Sequence, residues 1–377
     1  MTMGDPLKTF FSPALVQRLA GDLVRIHPSF PEHAFVAEAT DGLDALELLD
    51  RGRHIARALA RHLPRDYPRA LDVLMRSLGP EHASDELIGA GMEPFFYYPH
   101  TLFVAERGLD HYDLSMQAQV ELTKRFSAEG SIRPYIAAHP ERTFALLRSW
   151  AQSDHAHVRR LVSEGTRLRL PWAPRVAWLD DHPERILELL ELLKDDPSTM
   201  VRRSVANNLN DLGKVHPALL LRTCAAWLEG ATAERRALVE HALRSAVKRG
   251  DPGALALLGF GDRPAVRVTD VRLDPAHVRI GGRVTIGFSL ESESATDQSL
   301  LVDLAVHFVK ARGTTPKVFK LKRLTLAPRE RKQLRTTVSL AVHTTRKPRP
   351  GTHRVDVLLN GQAENLGSFE VVGAGPR

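Results

Sequence analysis

Two short motifs recur at a single spacing, and that spacing limits the fold more than any other feature of the chain. His139-Pro140-Glu141-Arg142 returns as His182-Pro183-Glu184-Arg185, and Val158-Arg159-Arg160 returns as Val201-Arg202-Arg203. Both offsets are 43 residues. The first marker puts Pro where a helix would begin, a favourable place because the missing N–H would have had no partner there. The second opens an apolar-periodic helix. The repeating unit is therefore read as a helix pair. A looser copy begins at His216-Pro217, 34 residues on, and an earlier one is expected to include Tyr67-Pro68-Arg69. Two-helix periods of about 40–47 residues are those of HEAT-type repeats, which stack into curved arrays with a long concave surface. Coincidence among Arg-rich helices is the competing explanation.

Up to about residue 258 the chain reads as helix after helix, with Pro and Gly between the apolar stretches. From about residue 263 the period changes to two. Val266–Leu273, Val284–Leu290, Leu304–Phe308, Val318–Leu326 and Val338–Val342 alternate as strands do. Val355–Leu359 runs into Asn360-Gly361, a hairpin signal, and Phe369–Val372 closes the set. The expected fold is mainly α: a HEAT-like helical-repeat solenoid over 1–260, then a small all-β immunoglobulin-like sandwich over 264–373, with the boundary near Gly259–Pro264. The sandwich would be immunoglobulin-like in topology only, because Cys224 is the one cysteine of the 377 residues.

That single cysteine excludes an internal disulfide and a Cys-based zinc site, and it fits a reducing cytoplasm. The start, Met1-Thr2-Met3-Gly4-Asp5-Pro6, shows no basic and apolar leader, and no apolar run is long enough for a membrane helix. Charge is uneven. Residues 263–377 hold 20 Lys+Arg against 10 Asp+Glu, a net of +10, whereas residues 1–262 carry −3. A basic module beside a near-neutral one points to a polyanion such as nucleic acid, or to an ordinary solvated surface.

The chemistry-bearing residues lie on the repeated helices. At about 100° per residue, Val201, Val205, Leu209 and Leu212 fall on one side, and Arg203, Asn207, Asn210, Asp211 and Lys214 on the other. One repeat earlier, Val158 and Val162 point inward, and Arg160, Glu164 and Arg167 take the matching polar stripe. Arg and Lys suit phosphates, but a carboxylate among them would repel one. It makes sense where a cation must be met, such as an N-alkylated purine or the oxocarbenium-like sugar left as that base departs. The alternative is a solvated helix face with local ion pairs such as Arg160–Glu164. Trp172, between two prolines, is read either as a stacking surface or as a core wedge. Glu129 near a helix end is a further candidate carboxylate, with a capping or ion-pair role as its alternative. The histidines form no convincing metal-ligand set, Gly281-Gly282 reads as a β-turn, and no Walker, GxSxG or HExxH motif is present.

Several of these runs resemble a known family. Val158-Arg-Arg-Leu-Val-Ser-Glu-Gly-Thr166, Leu170-Pro-Trp-Ala-Pro174, Val201-Arg-Arg-Ser-Val-Ala-Asn-Asn-Leu-Asn-Asp211, Phe95-Phe-Tyr-Tyr-Pro-His100 and Pro6-Leu-Lys8 closely resemble the AlkC branch of bacterial DNA alkylation-repair glycosylases. The likeness covers nearly all of residues 5–250. It implies an enzyme that hydrolyses the N-glycosidic bond of cationic alkyl bases such as 3-methyladenine in base excision repair. It implies work on the exposed sugar without base flipping, so that no deep pocket is expected. It implies Glu164 and Asp211 at the lesion, Trp172 nearby, Arg160 in support and Glu129 beside them. Gly130-Ser131 and Leu168 depart from the family's residues. Arg160, Arg167, Arg169, Arg203, Asn207, Asn208 and Lys214 are the expected DNA contacts of the helical part, and Lys320, Lys322 and Arg323 those of the sandwich. The expected partner is double-stranded DNA with alkylated bases, bound by a cytoplasmic monomer that uses no metal and no cofactor. A non-catalytic HEAT-repeat scaffold binding DNA or protein is the rival reading.

Overall fold

The computed structural model describes residues 6–82, 91–261, 263–342 and 347–373. The chain start read for a leader therefore lies outside the described residues, apart from Pro6. Helices follow in the order α1 Pro13–Ile26, α2 Glu32–Thr40, α3 Leu48–His62, α4 Tyr67–Arg76, α5 Tyr98–Arg107, α6 Tyr112–Thr123, α7 Arg133–Ala138, α8 Pro140–Trp150, α9 Ala156–Gly165, α10 Ala177–Asp181, α11 Pro183–Leu193, α12 Thr199–Leu212, α13 Pro217–Leu228, α14 Ala233–Lys248 and α15 Pro252–Leu257. No helix among the described residues is long and apolar enough to cross a membrane.

The 43-residue period is a real structural period. α8 and α11 both start at the proline of their marker, and α9 and α12 follow at the same interval and pack on each other. Val158 and Val162 of α9 are buried, as are Val201 and Val205 of α12. The first arginine of each Val-Arg-Arg marker performs the same task in both copies. Arg159 donates to the carbonyls of Ser153 and Asp154 at 2.8 and 3.1 Å, and Arg202 to those of Asp196 and Pro197 at 2.5 and 2.8 Å. Each ties the turn before its helix to the first helical turn, so the marker is partly structural. Each copy also contains a short helix, α7 or α10, that the helix-pair reading left out; the repeated unit has three helices.

The chain divides into two compact units, Met1–His216 with Gly230–Ala242, and Pro217–Glu229 with Leu243–Arg377. α13, read from sequence as part of a third repeat, thus groups with the strands, and its Cys224 is a buried, free thiol whose pKa burial pushes up to about 12.

The second unit contains two sheets. The strands are β1 Val266–Asp274, β2 His277–Arg279, β3 Arg283–Ser292, β4 Gln298–Val309, β5 Thr314–Leu326, β6 Arg331–Ser339, β7 Gly351–Leu359 and β8 Gln362–Val372. One sheet has the order β1-β3-β6, the other β2-β8-β7-β4-β5. Their inner faces bury a common core that includes Ile286, Phe288, Leu304 and Val357. Asn360 and Gly361 close the β7–β8 hairpin with φ of 45° and 80°, both in the left-handed region that a two-residue turn of this hand needs. β4 is buried almost throughout because its outer face is covered too: Leu301 packs with Leu255 of α15 and Phe260.

Candidate functional site

Glu129, Glu164 and Asp211 come from different parts of the chain. Glu129 lies in the turn between α6 and α7, Glu164 in the last turn of α9, and Asp211 in the last turn of α12. Two arginines join them. Arg160 donates to Glu129 at 3.1 Å and lies 3.9 Å from Glu164. Arg167 donates from Nη1 to Glu164 at 2.9 Å, and its Nη2 and Nε lie 2.8 and 2.9 Å from Asp211 Oδ2. Lys214 completes the line at 2.8 Å from Asp211 Oδ1. The order is strictly alternating: Glu129, Arg160, Glu164, Arg167, Asp211, Lys214.

This is not a solvated helix face. The side chains of Glu164 and Asp211 are only 5% and 2% exposed, and Asn210 is buried as well. Burial alone would lower the pKa of the Arg167 guanidinium, but the two carboxylates outweigh it and hold that pKa above its ordinary value. Breaking such a buried pair by removing one partner costs about 3–5 kcal/mol, because it strands a charge away from water.

The residue that fixes this geometry escaped the sequence reading. Arg133, at the start of α7, is fully buried and donates to the carbonyls of Pro174, Gly165 and Arg167 at 2.8, 2.9 and 2.9 Å. It gathers both ends of the loop that carries Arg167 and Trp172. Burial lowers its pKa to about 10, which leaves it cationic at neutral pH. Gly165 packs where a Cβ would lie 2.6 Å from Ile132 Cγ2, so α9 ends against the Glu129 turn only because no side chain intervenes. Nothing in an Arg-Pro dipeptide signals such a role. Ser127 was missed too: its hydroxyl donates to Glu129 at 2.7 Å and accepts from Arg160 at 3.4 Å.

Trp172 is held in the loop at φ 63°, a left-handed conformation that is costly for a bulky residue, and it is 63% exposed. The core-wedge alternative thus fails. Its ring meets Phe95 edge-on at 6.1 Å, and Phe95 meets Phe126 at 5.1 Å. These rings, with Tyr98, Glu106 and Glu129, line a half-open cleft of about 490 Å³. A cleft of this size was not expected. The cluster Phe95-Phe96-Tyr97-Tyr98 was its one sequence signal, in a chain with 14 Phe and 5 Tyr. Arg160 also lines the cleft, whereas Glu164 and Asp211 do not.

The remaining predicted contacts divide clearly. Arg203 is exposed and has no partner among the described residues. Arg169 pairs with Asp180 at 2.9 Å, away from the carboxylate line. Asn207 bonds His241 at 3.0 Å. Asn208, read as a DNA contact, is fully buried; its amide donates to Ser163 O at 2.7 Å and Thr166 Oγ1 at 3.0 Å, so it holds α12 to α9 instead. Lys320, Lys322 and Arg323 are exposed on β5, and the Arg323 guanidinium lies 5.6 Å above the Phe260 ring. Among the described residues no group of His, Cys, Asp and Glu is arranged to hold a metal ion.

Residues 126–249, which contain the whole alternating line, match the family model described as DNA alkylation repair enzyme, and residues 267–373 match the C-terminal Ig-like domain of the uncharacterised protein YhaZ. The uncharacterized protein YhaZ of Bacillus subtilis (strain 168) is 32% identical over 367 residues, 97% of this chain and 99% of that protein. The structure of Pseudomonas fluorescens alkylpurine DNA glycosylase AlkC, bound to DNA containing an abasic site analogue, superposes with a TM-score of 0.89 at 36% identity, over 98% of this chain and all of that one. The class is therefore that of DNA alkylation-repair proteins with a helical N-terminal part and an Ig-like C-terminal domain. Within it, this chain belongs to the AlkC-type glycosylase family.

Proposed function

We propose that the protein is an alkylbase DNA glycosylase that releases cationic N-alkylated bases, of the 3-methyladenine type, by hydrolysing the N-glycosidic bond. The observation that carries the reading is the pair Glu164 and Asp211, brought from two repeats onto one guanidinium. A cationic base is already a good leaving group, so no strong general acid is required. The demand falls on the sugar, whose developing positive charge a fixed carboxylate can stabilise while orienting a water. Glu129 and Trp172 act beside them, and Arg160 holds Glu129 in place. The Pseudomonas fluorescens enzyme is bound to DNA containing an abasic site analogue, which supports DNA as the partner, here taken as a duplex with alkylated bases. In this reading a HEAT-like array over 1–260 wraps the duplex, and the basic part over 264–373 clamps it through Lys320, Lys322 and Arg323. The protein works as a cytoplasmic monomer, without metal or cofactor.

One observation favours a second reading, a non-catalytic DNA-binding scaffold. Arg167 fills the space between the carboxylates and neutralises them. Catalysis on the proposed route requires Arg167 to turn from the carboxylates to a phosphate. Base release from methylated DNA separates the two readings. Asp211→Asn and Glu164→Gln are expected to lose about 100-fold or more in single-turnover rate while DNA affinity holds or rises. Unchanged rates in both variants would remove the carboxylates from the chemistry, and no release by the parent protein would leave the scaffold.

A further inference from the structure

α6 carries a buried polar stripe. Ser115, Gln119 and Thr123 follow one another four residues apart on one side of the helix, and none is more than 2% exposed. Buried polar groups are costly unless they are bonded, so the partners of each show what it holds. Ser115 donates to Gly108 O at 2.9 Å, just before its own helix. The other two reach forward to the turn 127–132. Thr123 Oγ1 accepts from the Ala128 amide at 3.1 Å. Gln119 takes hold of Ser131 twice: its Nε2 donates to the Ser131 carbonyl at 3.0 Å, and its Oε1 accepts from the Ser131 hydroxyl at 2.6 Å. A carbonyl can only accept, so the Ser131 main chain fixes which way round the amide lies.

Glu129 sits between these two anchors, one residue after Ala128 and two before Ser131. Its Oε2 accepts from Ser127 at 2.7 Å and from Arg160 at 3.1 Å. Its Oε1 has no partner among the described residues, and the side chain is 29% exposed. Both oxygens of Asp211, by contrast, are taken, one by Arg167 and the other by Lys214. Ser127 and Arg160 restrain the Glu129 side chain; Thr123 and Gln119 restrain the main chain that carries it. Ala128 and Ile132 bury the ends of the turn. Packing does not hold its middle, since a Cβ at Gly130 would meet nothing within 4 Å.

We propose that Gln119 is a positioning residue for Glu129. It lies outside the cleft lining and bonds no member of the alternating line. It acts through Ser131, setting the turn so that the free oxygen of Glu129 is presented in one place. Without it Ser131 loses a main-chain and a side-chain partner at once, and Thr123 is left as the one link from the stripe to the turn. The inference rests on the reading of Glu129 as a participant in base release. A small displacement of a group that meets developing charge lowers the rate and leaves binding as it was.

The test uses the full-length protein and single-turnover base release from methylated DNA. Gln119→Met keeps the length of the side chain and removes both bonds. Its rate is expected to fall about 10–100-fold with DNA affinity unchanged. The deciding comparison is a cycle with Glu129→Gln. In that background Gln119→Met should change the rate by less than about twofold. The same loss in both backgrounds, or no loss in the parent, overturns the inference. Ser131→Ala removes the hydroxyl bond alone and should show a smaller loss with the same dependence on Glu129; it decides the matter if circular dichroism shows Gln119→Met unfolded. A second arm does not depend on activity. Hydrogen exchange of residues 127–132 should quicken in Gln119→Met, or in Ser131→Ala, while that of α12 holds; equal exchange in parent and variant overturns the inference. If the parent releases no base and the exchange still responds, the glycosylase reading fails and Gln119 remains the residue that orders the turn. If base is released and Glu129→Gln is as fast as the parent, the glycosylase reading stands and the positioning role falls.

Discussion

At the scale of single residues, the site is a sequence of pairings in which each member restrains the next. Arg167 touches two carboxylates that are both nearly out of water. Arg167→Gln is expected to cost about 3–5 kcal/mol, read as a lowered urea midpoint. Adding Asp211→Asn to it should recover part of that loss, because one stranded charge is gone; a double variant as weak as the sum would mean the pair is not coupled. Arg133→Met should cost on the order of 3 kcal/mol by leaving buried carbonyls at Gly165, Arg167 and Pro174 without a donor. Helical periodicity alone put Glu164, Arg167 and Asp211 on matching stripes. It could not tell a solvated stripe from a buried one, because that depends on the loop folded over it. Arg133 and Asn208 were illegible for the same reason: their partners are main-chain groups or hydroxyls 32 to 45 residues away.

Among the elements, α5 shows what burial does to a titrating group. His100 is buried in its first turn, and burial lowers its pKa to about 4. The folded value lies below the unfolded value of about 6.5. Below the latter the unfolded chain therefore takes up a proton that the folded protein refuses. The contribution is complete above about pH 6.5 and is lost as pH falls toward 4, on the order of 3 kcal/mol in all. His82 and His155 are also lowered, first by burial, and act in the same direction. Urea midpoints from pH 7.5 to 4 should fall steeply for the parent and less so for His100→Phe. Elements with a strong apolar period were legible, such as α11 and β3. β6 was not, and its reading began at Val338 although the strand starts at Arg331. Its buried apolar residues there are Leu334 and Val338 alone, with polar residues between. β2, three residues long, is below what alternation can show.

For the molecule as a whole, the change of period near residue 260 told where strands begin, and the basic bias told which part has excess cations. Neither told that α13 groups with the strands, since packing is not bound to chain order. That grouping also decides how the basic part should be tested. Truncation would strip Leu301 from Leu255 and Phe260, so charge reversal in the full chain is cleaner. Lys320→Glu with Lys322→Glu should reduce the slope of log K for DNA against log salt by about 2. An unchanged slope would assign these lysines to another partner or to none.

The alternation from Glu129 to Lys214 has a thermodynamic corollary. The condensed cations lie on the duplex and leave only as phosphates are neutralised, so a guanidinium that stays matched to a carboxylate displaces few of them. Salt titration of the helical part should therefore register unmatched groups such as Arg203, and an ion-release count would fall short of the number of arginines near the duplex.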